Sequence, residues 1–210
     1  MKIIALSTSP SRNRNSDTML DNFIIGMNKV AGIEVEKIYL EDIPIDFYNY
    51  ENSTGPALHE EKFRDLIGKI ENSDGLVIAT PTYNFSVPAR LKNFIDRIRF
   101  LALDLTKHNK FGQPVGKLSY LRTYFIVSGG TPNWAETILF FAFPSFWLRG
   151  VFLYFDAKVL GAFYTGNIKA FEDKVILDKC IKKGERYANM VKNKKGNSIL
   201  ERIFWRAPQV

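Results

Sequence analysis

The sequence predicts an α/β fold, a three-layer sandwich in which helices cover both faces of a parallel sheet. Two observations predict it. Near-continuous apolar runs recur at 2–7, 76–79 and 121–127, the pattern of strands buried on both faces. Segments of helical period lie between such runs, and alternation of this kind favours parallel strands joined by crossover helices. With 210 residues, 46% hydrophobic and 24% charged, the chain fits one globular domain with a substantial core.

The elements follow in order. Strands are expected at 2–7, 33–40, 76–79, 121–127 and 158–163. Helices are expected at 16–29, 58–70, 88 to about 105, 131–147 with a break at Pro144, and 169 to about 192. In the third helix Leu91, Phe94, Ile95, Ile98 and Leu101 share one face, Pro88 suits its first turn and Ser86 its cap. The polar stretch 41–57 is a loop expected to reach over the active face. Residues 1–192 form the expected domain, and 193–210 an extension docked on it or on a partner subunit.

Composition narrows the function. The net charge of +7 attracts anions without choosing among them. The lysines at 179, 182, 183, 192, 194 and 195 read as a solvated helix face, so no nucleic-acid partner is expected. One cysteine, Cys180, and two separated histidines, His59 and His108, give no disulfide framework and no metal site. The apolar start is too short for a signal peptide, and a cytoplasmic location is expected. Residues 138–155 are apolar, but Pro144, Arg149 and Gly150 interrupt a barely adequate length. No transmembrane segment is expected there; peripheral membrane contact stays open, beside a buried helix pair, a dimer surface or an aromatic substrate wall.

Three loops carry the chemistry. The first, 7–18, leads from strand one into a helix. A helix start presents unpaired N–H groups and a positive dipole end. Ser9, Ser11, Ser16 and Thr18 add hydroxyls, and Arg12 and Arg14 add forked donors. Asp17 lies in the same loop and completes the candidate set. A polar loop capped by Asn15 or Ser16 is the bland alternative. The loop has neither the glycines of a dinucleotide fingerprint nor a Walker lysine. Hydroxyls and arginine suit a terminal monophosphate such as that of FMN.

The second loop, TPTYNFSVP at 80–88, leaves strand three. In a sheet of order 2-1-3-4-5, strands one and three flank the switch point where ligands bind. Pro81, Thr82, Tyr83, Asn84 and Phe85 are therefore expected at a flavin ring, with backbone N–H groups facing its pyrimidine edge. The third loop, Ser128, Gly129 and Gly130, permits close backbone approach. Thr131 is a candidate cap, and Trp134 is expected to shape the substrate cavity.

These residues resemble the NAD(P)H-dependent FMN reductase family of the flavodoxin-like superfamily. The likeness lies in SPSRNRNSDT at 9–18, PTYNFSVPARLKNFIDR at 81–97 and SGG at 128–130, and the element order extends it over 1–190. The resemblance implies a flavodoxin-like sandwich with a five-stranded parallel sheet, bound FMN, and a homodimer or homotetramer. By the family's pattern Ser9, Arg12, Ser16 and Thr18 match the phosphate loop, residues 81–85 the ring loop and 128–130 the third flavin loop. The helix from 88 to 97 resembles one used in subunit packing. The first loop departs from the common compact form, so either Arg12 or Arg14 fills the arginine role. Related iron–sulfur flavoproteins cluster cysteines before the second helix, whereas 41–57 holds none.

The expected activity is hydride transfer from NADH or NADPH to FMN and onward to a small aromatic acceptor: a flavin, quinone, azo compound or similar. The cofactor carries the chemistry, so no side chain is assigned as catalytic. The alternatives are an FMN electron-transfer protein or redox regulator without direct nicotinamide oxidation, and an α/β scaffold or nucleic-acid protein with a vestigial flavin site.

Overall fold

A computed structural model describes residues 1–138 and 143–196. Five parallel strands form the central sheet: β1 (Lys2–Ser7), β2 (Glu34–Tyr39), β3 (Gly75–Pro81), β6 (Arg122–Ser128) and β7 (Lys158–Thr165), in the order β2-β1-β3-β6-β7. This is the expected flavodoxin-like order. Ser7 lies beside Ala79 of β3, and Pro81 beside Ser128 of β6. The C-terminal ends of the three central strands thus finish side by side, which sets their loops along one edge.

Helices α1 (Asn15–Met27) and α7 (Lys174–Lys192) cover one face. Their core includes Ile3, Ala5, Met19, Phe23, Val77, Ile126, Cys180 and Tyr187. The two helices approach to backbone contact: a Cβ on Gly26 would strike Ile181 O, and one on Gly184 would strike Phe23 O. Helices α2 (Glu61–Glu71), α3 (Ala89–Arg97) and α6 (Pro144–Tyr154) cover the other face, around Ile4, Leu6, Ile78, Phe94, Phe125, Leu148 and Phe152.

Some elements differ from expectation. The third helix does not run to about 105. It ends at Arg97, the short α4 (Arg99–Ala102) follows, and the chain turns extended at Leu103 to form β4 (Leu103–His108) against β5 (Pro114–Gly116) in an antiparallel hairpin. Apolar residues at 101, 103 and 105 satisfy a strand as well as a helix, and Gly112 (φ +75°) and Pro114 supply the turn chemistry. The helix expected at 131–147 is two: α5 (Asn133–Ile138) and α6, which Pro144 opens rather than breaks. Helix α2 starts three residues later than expected and α7 five. Among the described residues no helix is long and apolar enough to cross a membrane. Most of the expected 193–210 extension lies outside the described residues.

Candidate functional site

A cleft of about 310 Å³ opens at the C-terminal edge of the sheet. Ser9, Ser11, Arg14, Asn15 and Ser16 line it from the first loop, Pro81, Thr82 and Tyr83 from the second, and Ser128, Gly129 and Gly130 from the third. Ile168, from the segment after β7, closes the lining. Three loops that are far apart in sequence therefore share one cavity.

The first loop meets the cleft at the start of α1. Arg14 is the N-cap, and no side chain caps the helix. The capping role considered for Asn15 does not occur. Its Nδ2 donates to Ile168 O at 3.0 Å, and its Oδ1 accepts from Phe171 N–H at 3.2 Å. The helix N-terminus thus keeps its donors for a ligand. Ser9 Oγ donates to Ser11 O at 2.8 Å and shapes the bend.

The two arginines have different surroundings. Arg12 reaches both oxygens of Asp42, at 2.5 and 2.6 Å, and stands over the Tyr39 ring at 4.2 Å. It is not among the lining residues. Arg14 lines the cleft with its guanidinium over Phe171 at 5.3 Å, and no carboxylate pairs with it among the described residues. Asp17 and Thr18 are also outside the lining. Asp17 is fully buried and accepts from Ser7 Oγ and Asn13 N–H, each at 2.8 Å, with Lys37 Nζ at 2.9 Å. Burial works to raise the Asp17 carboxyl, but Lys37, Asn13 N–H and Ser7 outweigh it and hold it below the usual range.

The second loop is a tight turn. Tyr83 N–H donates to Ser86 O and Ser86 N–H to Tyr83 O, both at 2.9 Å. Between them Asn84 (φ +51°) and Phe85 (φ +61°) occupy the left-handed region. This is the two-residue hairpin turn that usually takes Asn-Gly. A phenylalanine there is strained, and such strain gathers at binding sites. Pro88 is the N-cap of α3 and no side chain caps that helix, so the cap expected from Ser86 does not form. Phe85 meets Phe143 edge-on, with ring centroids 6.3 Å apart, and Phe143 meets Tyr164 at 5.3 Å. Asn84 and Phe85 sit at the apex beside the lining rather than in it.

Thr82 lies deeper. Its N–H donates to Ser128 O at 2.7 Å, tying the second loop to the third. Its Oγ1 is buried with no hydrogen-bond partner among the described residues. A Cβ on Gly129 would come within 2.9 Å of Tyr164 Oη and 3.2 Å of Thr82 Oγ1. Glycine there keeps the approach to that hydroxyl open. Trp134, expected at the cavity, is exposed and outside the lining. Ile168 was missed. It follows strand β7, so the edge rule that gathers the other loops was the available signal.

The 41–57 loop supplies no lining residue. It is strapped along α3 instead. Arg90 donates to Leu40 O at 3.0 Å and Ile43 O at 2.7 Å. Asn93 donates to Asp46 O at 3.0 Å and accepts from Tyr48 N–H at 2.8 Å. Arg97, fully buried, pairs with both Glu60 oxygens at 2.7 and 2.9 Å and donates to Asp46 O at 2.9 Å. Burial tends to raise the Glu60 carboxyl, but Arg97 and the N–H groups of Asp46 and Ala57 win and hold it at about 2. Arg12 joins Asp42 of this strap to the first loop. Cys180 lies elsewhere in the core, where burial pushes its thiol up to about 12, far from a reactive thiolate.

The family model for NADPH-dependent FMN reductase matches residues 1–131. The chain belongs to this family. An FMN-dependent NADH:quinone oxidoreductase of Thiobacillus denitrificans is 31% identical over 163 residues, covering 71% of this chain and 75% of the relative. A protein of the same description from Metamycoplasma arthritidis is 26% identical, covering 75% and 82%. An iron–sulfur flavoprotein of Archaeoglobus fulgidus is 28% identical over 53% of this chain and 52% of its own. Among solved structures, a putative quinone reductase of Klebsiella pneumoniae superposes with a TM-score of 0.71 at 18% identity, over 95% and 87% of the two chains. An FMN-dependent NADH-azoreductase of Bacillus anthracis, solved with FMN, gives 0.66 at 19% identity over 90% and 98%. These superpositions bear on the fold. Family membership makes the chain a flavin-linked oxidoreductase.

Proposed function

We propose that the protein binds FMN in the three-loop cleft and transfers hydride from NADH or NADPH to a flavin, quinone, azo compound or similar flat acceptor. The observation that carries this reading is the convergence of an uncapped helix start, the unpartnered Thr82 hydroxyl and the Gly129 approach on one cavity. The residues present suit FMN. The N-terminus of α1, Ser9, Ser11, Ser16 and Arg14 would hold its phosphate. Arg14 suits this role better than Arg12, which Asp42 already occupies.

Bound FMN would supply the redox chemistry, accepting hydride and passing two electrons on. Thr82 Oγ1 would donate to or accept from a polar edge of the ligand. The N–H groups of Thr82, Tyr83 and Ser86 are taken by backbone carbonyls. The apex amides of Asn84 and Phe85 are the donors left to face charge that develops at the ring. Tyr83 and Phe85, both largely exposed, would form an aromatic wall for the acceptor. A homodimer or homotetramer also belongs to this reading, supported by exposed Phe47, Tyr50 and Leu58 on the strap; light scattering tests it.

An anaerobic absorbance titration of FMN-loaded protein decides the central point. Loss of the oxidised flavin band on adding NADH or NADPH is expected. Slow reduction by both nicotinamides with fast reduction by a protein donor would instead make it an electron carrier. Protein that stays colourless in excess FMN would end the reading.

A further inference from the structure

We propose that Asp17 is a positioning residue for the phosphate site, fixing the first loop from behind while its own charge is turned away from the bound anion. This rests on the FMN reading above. Asp17 follows Ser16 in the first turn of α1. A carboxylate free to face the cleft there would repel a phosphate. Instead it is fully buried and outside the cleft lining, and its partners, the Ser7 hydroxyl, Asn13 N–H and the Lys37 ammonium, all donate to it.

The two oxygens have separate duties. Oδ2 accepts from Asn13 N–H at 2.8 Å. Asn13 is left-handed (φ +57°), a conformation a non-glycine residue holds only with support. That bond closes the bend that delivers Arg14 and Asn15 to the cleft. Oδ1 accepts from Ser7 Oγ at 2.8 Å, at the end of β1, and lies 2.9 Å from Lys37 Nζ. Lys37 comes from β2 and also reaches Asp21 at 2.5 Å. The loop is thereby referenced to two strands of the sheet, and the buried negative charge is compensated beside the site rather than by the ligand's own donors.

Asparagine cannot replace this carboxylate. An amide has one accepting oxygen, and its NH2 would meet either Asn13 N–H or the Lys37 ammonium, neither of which can accept a hydrogen bond. The damage should fall on the phosphate grip and spare the ring site, which other loops build. Riboflavin, which lacks the phosphate, separates the two.

The test compares dissociation constants for FMN and riboflavin, measured by flavin fluorescence quenching, in the unaltered protein, Asp17→Asn and Lys37→Met. Asp17→Asn should weaken FMN about tenfold or more, the scale of a charge-assisted hydrogen bond, and change riboflavin less than about twofold. Lys37→Met leaves the carboxylate uncompensated and should show the same selectivity. Equal weakening of both flavins would make Asp17 a general fold stabiliser and overturn the proposal, as would unchanged FMN affinity. If Asp17→Asn fails to fold, Lys37→Met decides by the same criterion. Absence of FMN binding by the unaltered protein sinks the proposed function itself, and this inference with it.

Discussion

Thr82 shows how one atom distinguishes a ligand site from a turn. Its Oγ1 is buried and unpartnered among the described residues, a cost unless something else supplies the bond. Thr82→Val removes that atom and keeps the shape. Thermal melting of the ligand-free protein should barely change, while FMN affinity measured by fluorescence quenching should fall about three- to tenfold. Glu60 makes the opposite case, a buried group fully satisfied. Glu60→Gln breaks a buried ion pair with Arg97 and should cost about 3–5 kcal/mol in urea unfolding. Its carboxyl is held at about 2 against an ordinary 4.5. Its contribution is therefore complete above the ordinary value and lost as pH falls from there toward 2. Unfolding of the unaltered protein should steepen in acid over that window, and the slope should flatten in Glu60→Gln.

Helix α3 does two jobs. Leu91, Phe94 and Ile95 bury one face. Arg90, Asn93 and Arg97 bind backbone atoms of the 40–60 strap. They hold main-chain carbonyls and amides, so the strap is fixed while Phe47 and Tyr50 stay exposed; Leu40, Ile43 and Glu60 turn inward. Asn93→Ala removes the acceptor of Tyr48 N–H and one of the two donors to Asp46 O, the other being Arg97. Hydrogen exchange should accelerate by about tenfold at Tyr48, equivalent to about 1.4 kcal/mol of local opening, with Asp46, which Glu60 holds, and strands β1 and β3 unchanged. Uniform acceleration across the sheet would show that the strap is not an independent unit. The apolar stripe of α3 was legible from its spacing. The polar stripe was not, because arginine and asparagine at an exposed-looking helical position normally face water, and only the strap's return path gives them carbonyls to hold.

At the scale of the molecule, parallel strands bring loops separated by more than a hundred residues to one edge. A ligand gripped by all three should stabilise the whole domain. At FMN one hundred times its dissociation constant the gain is about 2.7 kcal/mol, or roughly 5–10 °C in Tm for a chain of this size. Differential scanning fluorimetry with FMN checks this, and no shift at saturating FMN would contradict a site shared by three loops.

Five strand-like runs at 2–7, 33–40, 76–79, 121–127 and 158–163, separated by helical periods, were enough to predict a parallel α/β sandwich, and the flavodoxin-like strand order then placed residues 9–18, 80–88 and 128–130 on one side of it. Burial is a property of pattern, and pattern is written in sequence. Which arginine lines the cleft, where Asp17 points, that Ser86 closes a turn and that Ile168 completes the lining were decided only by tertiary structure. Those outcomes depend on partners such as Asp42, Lys37 and the backbone of distant strands, whose distances no local spacing encodes.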